Sequence, residues 1–80
     1  MVGTILRNIR KLKKLKQSEL ADKLNVAINT ISNYETEYSN ITFEVAINFI
    51  HECNFDIQLI NKEDNKIYKL EEFDTVDKKW

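Results

Sequence analysis

The sequence predicts a mainly α fold, four to five short helices followed by a C-terminal β-hairpin, and three observations carry that prediction. Apolar residues recur at helical spacing between residues 6 and 53, and strict alternation replaces that period from residue 55. The composition, 42% hydrophobic and 31% charged with one Gly and no Pro in 80 residues, fits one small soluble domain.

Leu6, Ile9 and Leu12, with Arg and Lys between them, space an amphipathic helix over about residues 3–13. Leu20, Ala21 and Leu24 mark a two-turn helix over 17–24, and Asn25 ends it because Asn tolerates the left-handed conformation nearly as Gly does. Ile28, Ile31 and Tyr34 space a third helix over about 28–36. Its other positions, Asn29, Thr30, Ser32 and Asn33, have low helix propensity, so something other than helix stability selected them. Thr42 is a good N-cap for the most apolar helix, about 43–53, and Asn54 closes it. Phe55, Ile57 and Leu59 then alternate with Asp56 and Gln58; residues 62–65 are a turn signal and 67–70 a second strand. The expected organisation is a helical domain over 1–54, a hairpin over 55–72 and a tail over 73–80. Tyr34, Phe43 and Phe49 are expected in the core.

The net charge of −1 hides a division: residues 1–34 hold seven Lys/Arg against two acids, whereas 35–80 hold five against eleven. A basic half joined to an acidic half is expected when one face meets a polyanion and the other does not. The lone Cys53 excludes an intramolecular disulfide, and the Lys- and Arg-rich first sixteen residues do not read as a signal peptide. No apolar run nears the roughly 18 residues of a membrane span. A cytoplasmic setting without a membrane partner is therefore expected. His51 and Cys53, two apart on one helix, do not share a face, so neither a zinc pair nor a Cys-His nucleophile is supported. There is no Gly-rich phosphate loop, and the acids at 63, 64, 71, 72, 74 and 77 lack the order of a calcium loop. No enzyme, metal or cofactor is expected.

Within residues 6–35, LRNIRKLKKLKQSELADKLNVAINTISNYE, the ordered marks are Leu15 and Gln17 before Glu19-Leu20-Ala21, Leu24 before Asn25-Val26, and Thr30-Ile31-Ser32 followed by Tyr34-Glu35. This set resembles the Cro/CI-like (XRE-type) helix-turn-helix family, and residues 42–54 resemble that family's next helix. The resemblance implies that the second helix of the motif lies in the DNA major groove while the first crosses the backbone. Carried over by position, Ile28, Asn29, Thr30, Ser32 and Asn33 face the bases. Asn suits a bidentate pair with adenine, and Ile28 a thymine methyl, so an A·T-rich site fits. Gln17 matches a phosphate-contacting position, aided by Arg7, Lys14 and Lys16. Arg10 and Glu35 match a structural ion pair. Lys14 stands for the usual helix-ending Gly, Lys16 and Ala27 for usual Thr and Ser caps, and Ile41 for a frequent Pro. Glu37 falls where relatives often approach phosphate, so its charge is expected to weaken binding.

The run FDIQLI resembles the C-terminal strand of antitoxin-type (HipB- and HigA-like) members, which implies a dimer interface at Phe55, Ile57 and Leu59. The function so implied is that of a sequence-specific DNA-binding regulator, a dimeric repressor on an inverted repeat. A second reading is a protein-binding module on the same fold, an antitoxin or a phage-encoded inhibitor of the anti-CRISPR kind. In that reading the acidic half engages a protein partner. Trp80 is a candidate contact to a partner.

Overall fold

Each predicted helix forms, and its ends fall within two residues of the expected positions. The computed structural model describes residues 1–76; Trp80 and the rest of 77–80 lie outside the described residues. Helices α1 (Val2–Leu12), α2 (Gln17–Leu24), α3 (Ile28–Glu35) and α4 (Phe43–Glu52) precede strands β1 (Gln58–Ile60) and β2 (Ile67–Lys69) and a 3-10 turn, Leu70–Phe73. Leu6 of α1, Leu20 and Ala21 of α2, Ile31 of α3, and Phe49 and Cys53 at α4 form the core. Ile9, Leu15, Leu24, Val26, Ile41, Ile50 and Phe55 pack around it.

All four helices stop by the same device. The residue after the last turn is left-handed, at Lys14 (φ 58°), Asn25 (57°), Glu37 (61°) and Asn54 (64°). The next N–H then returns to a carbonyl one turn back: Leu15 to Arg10 at 3.2 Å, Val26 to Ala21 at 3.0 Å, Tyr38 to Asn33 at 3.0 Å and Phe55 to Ile50 at 3.2 Å. This satisfies carbonyls the helix would leave open. The starts differ. Thr42 Oγ1 accepts from the Val45 N–H at 3.1 Å, as its residue type predicts. Lys16 has no side-chain acceptor, and instead the Glu19 carboxylate accepts the Lys16 N–H at 3.0 Å, half of a capping box.

The hairpin is antiparallel, with Gln58 opposite Lys69, Leu59 opposite Tyr68 and Ile60 opposite Ile67. Its turn is set by polar side chains. Asn61 Oδ1 accepts from the Glu63 N–H and Asp64 Oδ1 from the Lys66 N–H, each at 3.0 Å. The first strand is shorter than the alternation implied, because Phe55 turns into the core instead of continuing the ladder. The 3-10 turn lies outside the two-residue period. The Glu72 carboxylate closes its start by accepting the Lys69 N–H at 2.7 Å.

Phe49 is fully buried and Tyr34 half-buried, but Phe43, expected in the core, is 71% exposed. It is the first residue of α4 and faces the 3-10 turn instead of the other helices. Among the described residues no helix is long and apolar enough to cross a membrane.

Candidate nucleic-acid interface

Helix α3 divides its residues by face. Ile31 and Glu35 are buried, while Ile28 is 48% exposed, Asn29 is exposed, and Thr30, Ser32 and Asn33 are half-buried. No side chain among Asn29, Thr30, Ser32 and Asn33 makes a hydrogen bond to another described residue. Polar groups of this kind would ordinarily weaken a helix, and here they keep their donors and acceptors open to an outside partner. Ala27, extended at φ −71° and ψ 151°, has no side chain to cap α3, so the first N–H groups of the helix are also open.

One buried carboxylate holds the motif in shape. Arg10 Nε donates to Glu35 Oε2 at 2.5 Å and Nη2 to Oε1 at 2.9 Å, a two-pronged pair with side chains 10% and 1% exposed. Arg10 Nη1 donates to the Leu15 carbonyl at 2.7 Å, and Gln17 Nε2 donates to Glu35 Oε1 at 3.1 Å. The body of α1, the linker, the start of α2 and the end of α3 thus meet at Glu35. Burial pushes the Glu35 carboxyl up, but hydrogen bonds from Arg10 and Gln17 and the nearby Arg charges outweigh it and hold the group below its usual range. The Arg10 guanidinium is raised by the same hydrogen bond, against burial.

Gln17 is therefore half-buried and oriented, with one amide hydrogen on Glu35 and the other without an internal partner. Arg7, Lys14 and Lys16 are exposed and form no ion pair with a described residue.

Glu37, expected to weaken binding to phosphate, has its charge paired within the described residues. Its carboxylate accepts from the Met1 ammonium at 2.5 and 2.6 Å, at the start of α1. The ammonium's hydrogen bond draws the Glu37 carboxyl below its usual range. An acid at the positive end of α1 is stabilising, so the residue that ends α3 also caps α1. Gly3 makes this approach possible: a Cβ there would lie 2.5 Å from Glu37 Cγ, 2.5 Å from the Tyr34 carbonyl oxygen and 2.8 Å from that of Glu35. Sequence reasoning missed Gly3. Its signal was the sole Gly of the chain placed inside a helix, where Gly is a poor former.

In the hairpin, Phe55 and Ile57 are half-buried, and Phe55 packs on the core with Lys13 Nζ 4.3 Å above its ring. The exposed apolar residues are Leu59, Ile60 and Ile67. Cys53 is buried, which pushes its thiol up, and His51 is occupied, with Nδ1 3.1 Å from the Phe55 carbonyl oxygen and Nε2 3.0 Å from Glu71 Oε1. Among the described residues no group of His, Cys, Asp and Glu could hold a metal.

A family model described as helix-turn-helix matches residues 6–60. No curated protein and no solved structure matches the chain. The matched segment spans α1 to β1 and includes the Arg10–Glu35 pair, Gln17 and all of α3. The chain belongs to the helix-turn-helix family in its XRE-type form, a family of DNA-binding regulators.

Proposed function

We propose that the protein is a sequence-specific transcriptional repressor that binds an inverted repeat as a homodimer, with α3 of each protomer in a major groove. The observation that carries this is the exposed face of α3, whose polar side chains lack internal partners while the opposite face is locked through Glu35. Asn29 and Asn33 pair with adenines, Thr30 and Ser32 add single hydrogen bonds, and Ile28 packs on a thymine methyl, which favours A·T-rich sites. Gln17 and the start of α2 contact a phosphate, and Arg7, Lys14 and Lys16 supply sequence-independent attraction. Repression follows from occupancy of a promoter; no step of catalysis is involved, and the protein works in the cytoplasm.

Dimerisation is assigned to the hairpin, where Leu59, Ile60 and Ile67 are exposed and a lone two-stranded sheet is marginal in water. A two-fold pair sets its reading helices about 34 Å apart, one turn of DNA.

Gel-shift titration against the DNA upstream of the protein's own gene tests the reading. Asn29→Ala with Asn33→Ala removes two base pairings of about 1–3 kcal/mol each, so specific affinity falls at least about tenfold while non-specific binding persists. Equal specific affinity of the double variant and the parent, or no specific complex even at low salt, refutes it.

A further inference from the structure

A groove of about 410 Å³ runs between the first turns of α4 and the 3-10 turn. Its floor is apolar, formed by Phe43, Ile47, Leu70 and Phe73, and its rim is acidic, formed by Glu44, Glu71 and Asp74. Among the described residues no Lys or Arg lines it. The volume lies in the range of sites that enclose a few side chains.

Its walls are tied together. His51, on α4, reaches Glu71 in the 3-10 turn, and the Tyr68 ring lies 5.5 Å from that of Phe73. The groove nevertheless leaves Phe43 71% and Phe73 42% exposed, two large aromatic faces on one concave surface. Of the three carboxylates, Glu71 faces His51, whereas Glu44 and Asp74 have neither ion pair nor side-chain hydrogen bond with a described residue. Two negative charges with no partner among the described residues, beside an apolar floor, repel a polyanion and attract a cation that brings apolar surface with it. No residue of α3, and none of Arg7, Lys14, Lys16 and Gln17, lines the groove, so it is separate from the DNA face.

We propose that this groove docks a basic peptide segment of a partner protein. One large apolar side chain of the segment seats between Phe43 and Phe73, and flanking Lys or Arg side chains meet Glu44 and Asp74. The buried aromatic contact supplies the anchor, and the rim charges set the partner's sign and the rate of encounter. DNA and the peptide bind at the same time, because their surfaces do not overlap.

The test titrates the isotope-labelled full chain with a synthetic twelve-residue amphipathic peptide of Leu and Lys, and with the same peptide carrying Glu for Lys. The Leu/Lys peptide is expected to shift the amide signals of Phe43, Ile47, Leu70 and Phe73, and the Leu/Glu peptide to leave them in place. Glu44→Lys with Asp74→Lys is expected to weaken the Leu/Lys peptide at least tenfold while the folded amide spectrum and the sequence preference of DNA binding persist. Phe43→Ser, at an exposed position, is expected to weaken the peptide comparably. Shifts confined to other surfaces, equal binding of the two peptides, or indifference to the double charge reversal overturns the proposal. So does a free protein whose dimer Phe43→Ser dissociates, since the groove is then occupied by a second copy.

Discussion

Glu35 shows how one buried side chain can fix the shape of the whole helix-turn-helix motif. With Arg10 present, the carboxylate is buried but satisfied from three directions. Arg10→Met leaves it buried beside Gln17 alone, a loss of about 3–5 kcal/mol. The pair also makes stability depend on pH. The Glu35 carboxyl is lower in the folded state than its ordinary 4.5, so the stability it contributes is complete above that value. It is lost as pH falls through the folded value. Arg10 stays protonated in both states throughout that window and adds no slope. Urea unfolding of the parent and Glu35→Gln at pH 7 and pH 3 should show a stability gap that narrows in acid; a constant gap contradicts the assignment. Gly3 is a second decisive residue. Helix propensity alone makes Gly3→Ala stabilising by up to about 1 kcal/mol, but a methyl 2.5 Å from the Tyr34 carbonyl oxygen reverses the sign. A net loss of about 1–3 kcal/mol is expected. A lower melting temperature checks it, and a rise would mean that α1 shifts freely away from α3.

Helix ends show what could be read at the scale of elements. Asn25 and Asn54 signal the left-handed position by residue type, and both adopt it. Lys14 and Glu37 adopt the same conformation without such a signal, because the tight connections demand it whatever residue is present. The four helices were legible because each has an apolar stripe and a cap or breaker. Phe43 was misread because periodicity shows that a residue is apolar, not that another element lies above it. The polar run of α3 was legible as a face without internal partners, since Asn29, Ser32 and Asn33 lower helix propensity with no side-chain hydrogen bond to another described residue in return. That Gln17 would reach Glu35, or Glu37 the start of α1, was not legible. Both contacts join residues 18 or more apart through the packing of separate helices. The Lys14 conformation gives a prediction with two readouts. A left-handed non-Gly residue carries a penalty of roughly 1–2 kcal/mol, partly offset in Gly by its freer unfolded chain. Lys14→Gly should therefore raise stability by up to about 1 kcal/mol in chemical unfolding. It should weaken DNA binding, because a cation is lost. Stability and affinity moving together would show that Lys14 does not contact phosphate.

For the molecule as a whole, a net charge of −1 describes neither surface. The basic half holds α1 to α3 and the open face of α3, and the acidic half holds α4, the hairpin and the rim of the apolar groove. Two of the acids nearest the reading helix are already engaged: Glu35 by Arg10 and Gln17, Glu37 by the start of α1. Both pairs are internal, so neither carboxylate stands as a bare negative charge beside α3. If the hairpin joins two protomers, both basic faces act on one duplex and the salt dependence of binding doubles. Each phosphate neutralised contributes about 0.9 to the slope of log affinity against log salt, so removing Arg7 or Lys16 from both protomers should flatten it by about 1.8. Ile60→Lys with Ile67→Lys places two like charges opposite each other on the exposed pair of the hairpin. Sedimentation should then report a monomer, and the slope on the full inverted repeat should fall to that on a single half-site. A monomeric parent, or a charge-bearing hairpin that leaves both mass and slope unchanged, would move the dimer contact away from the hairpin while leaving the reading role of α3 to be judged by Asn29 and Asn33.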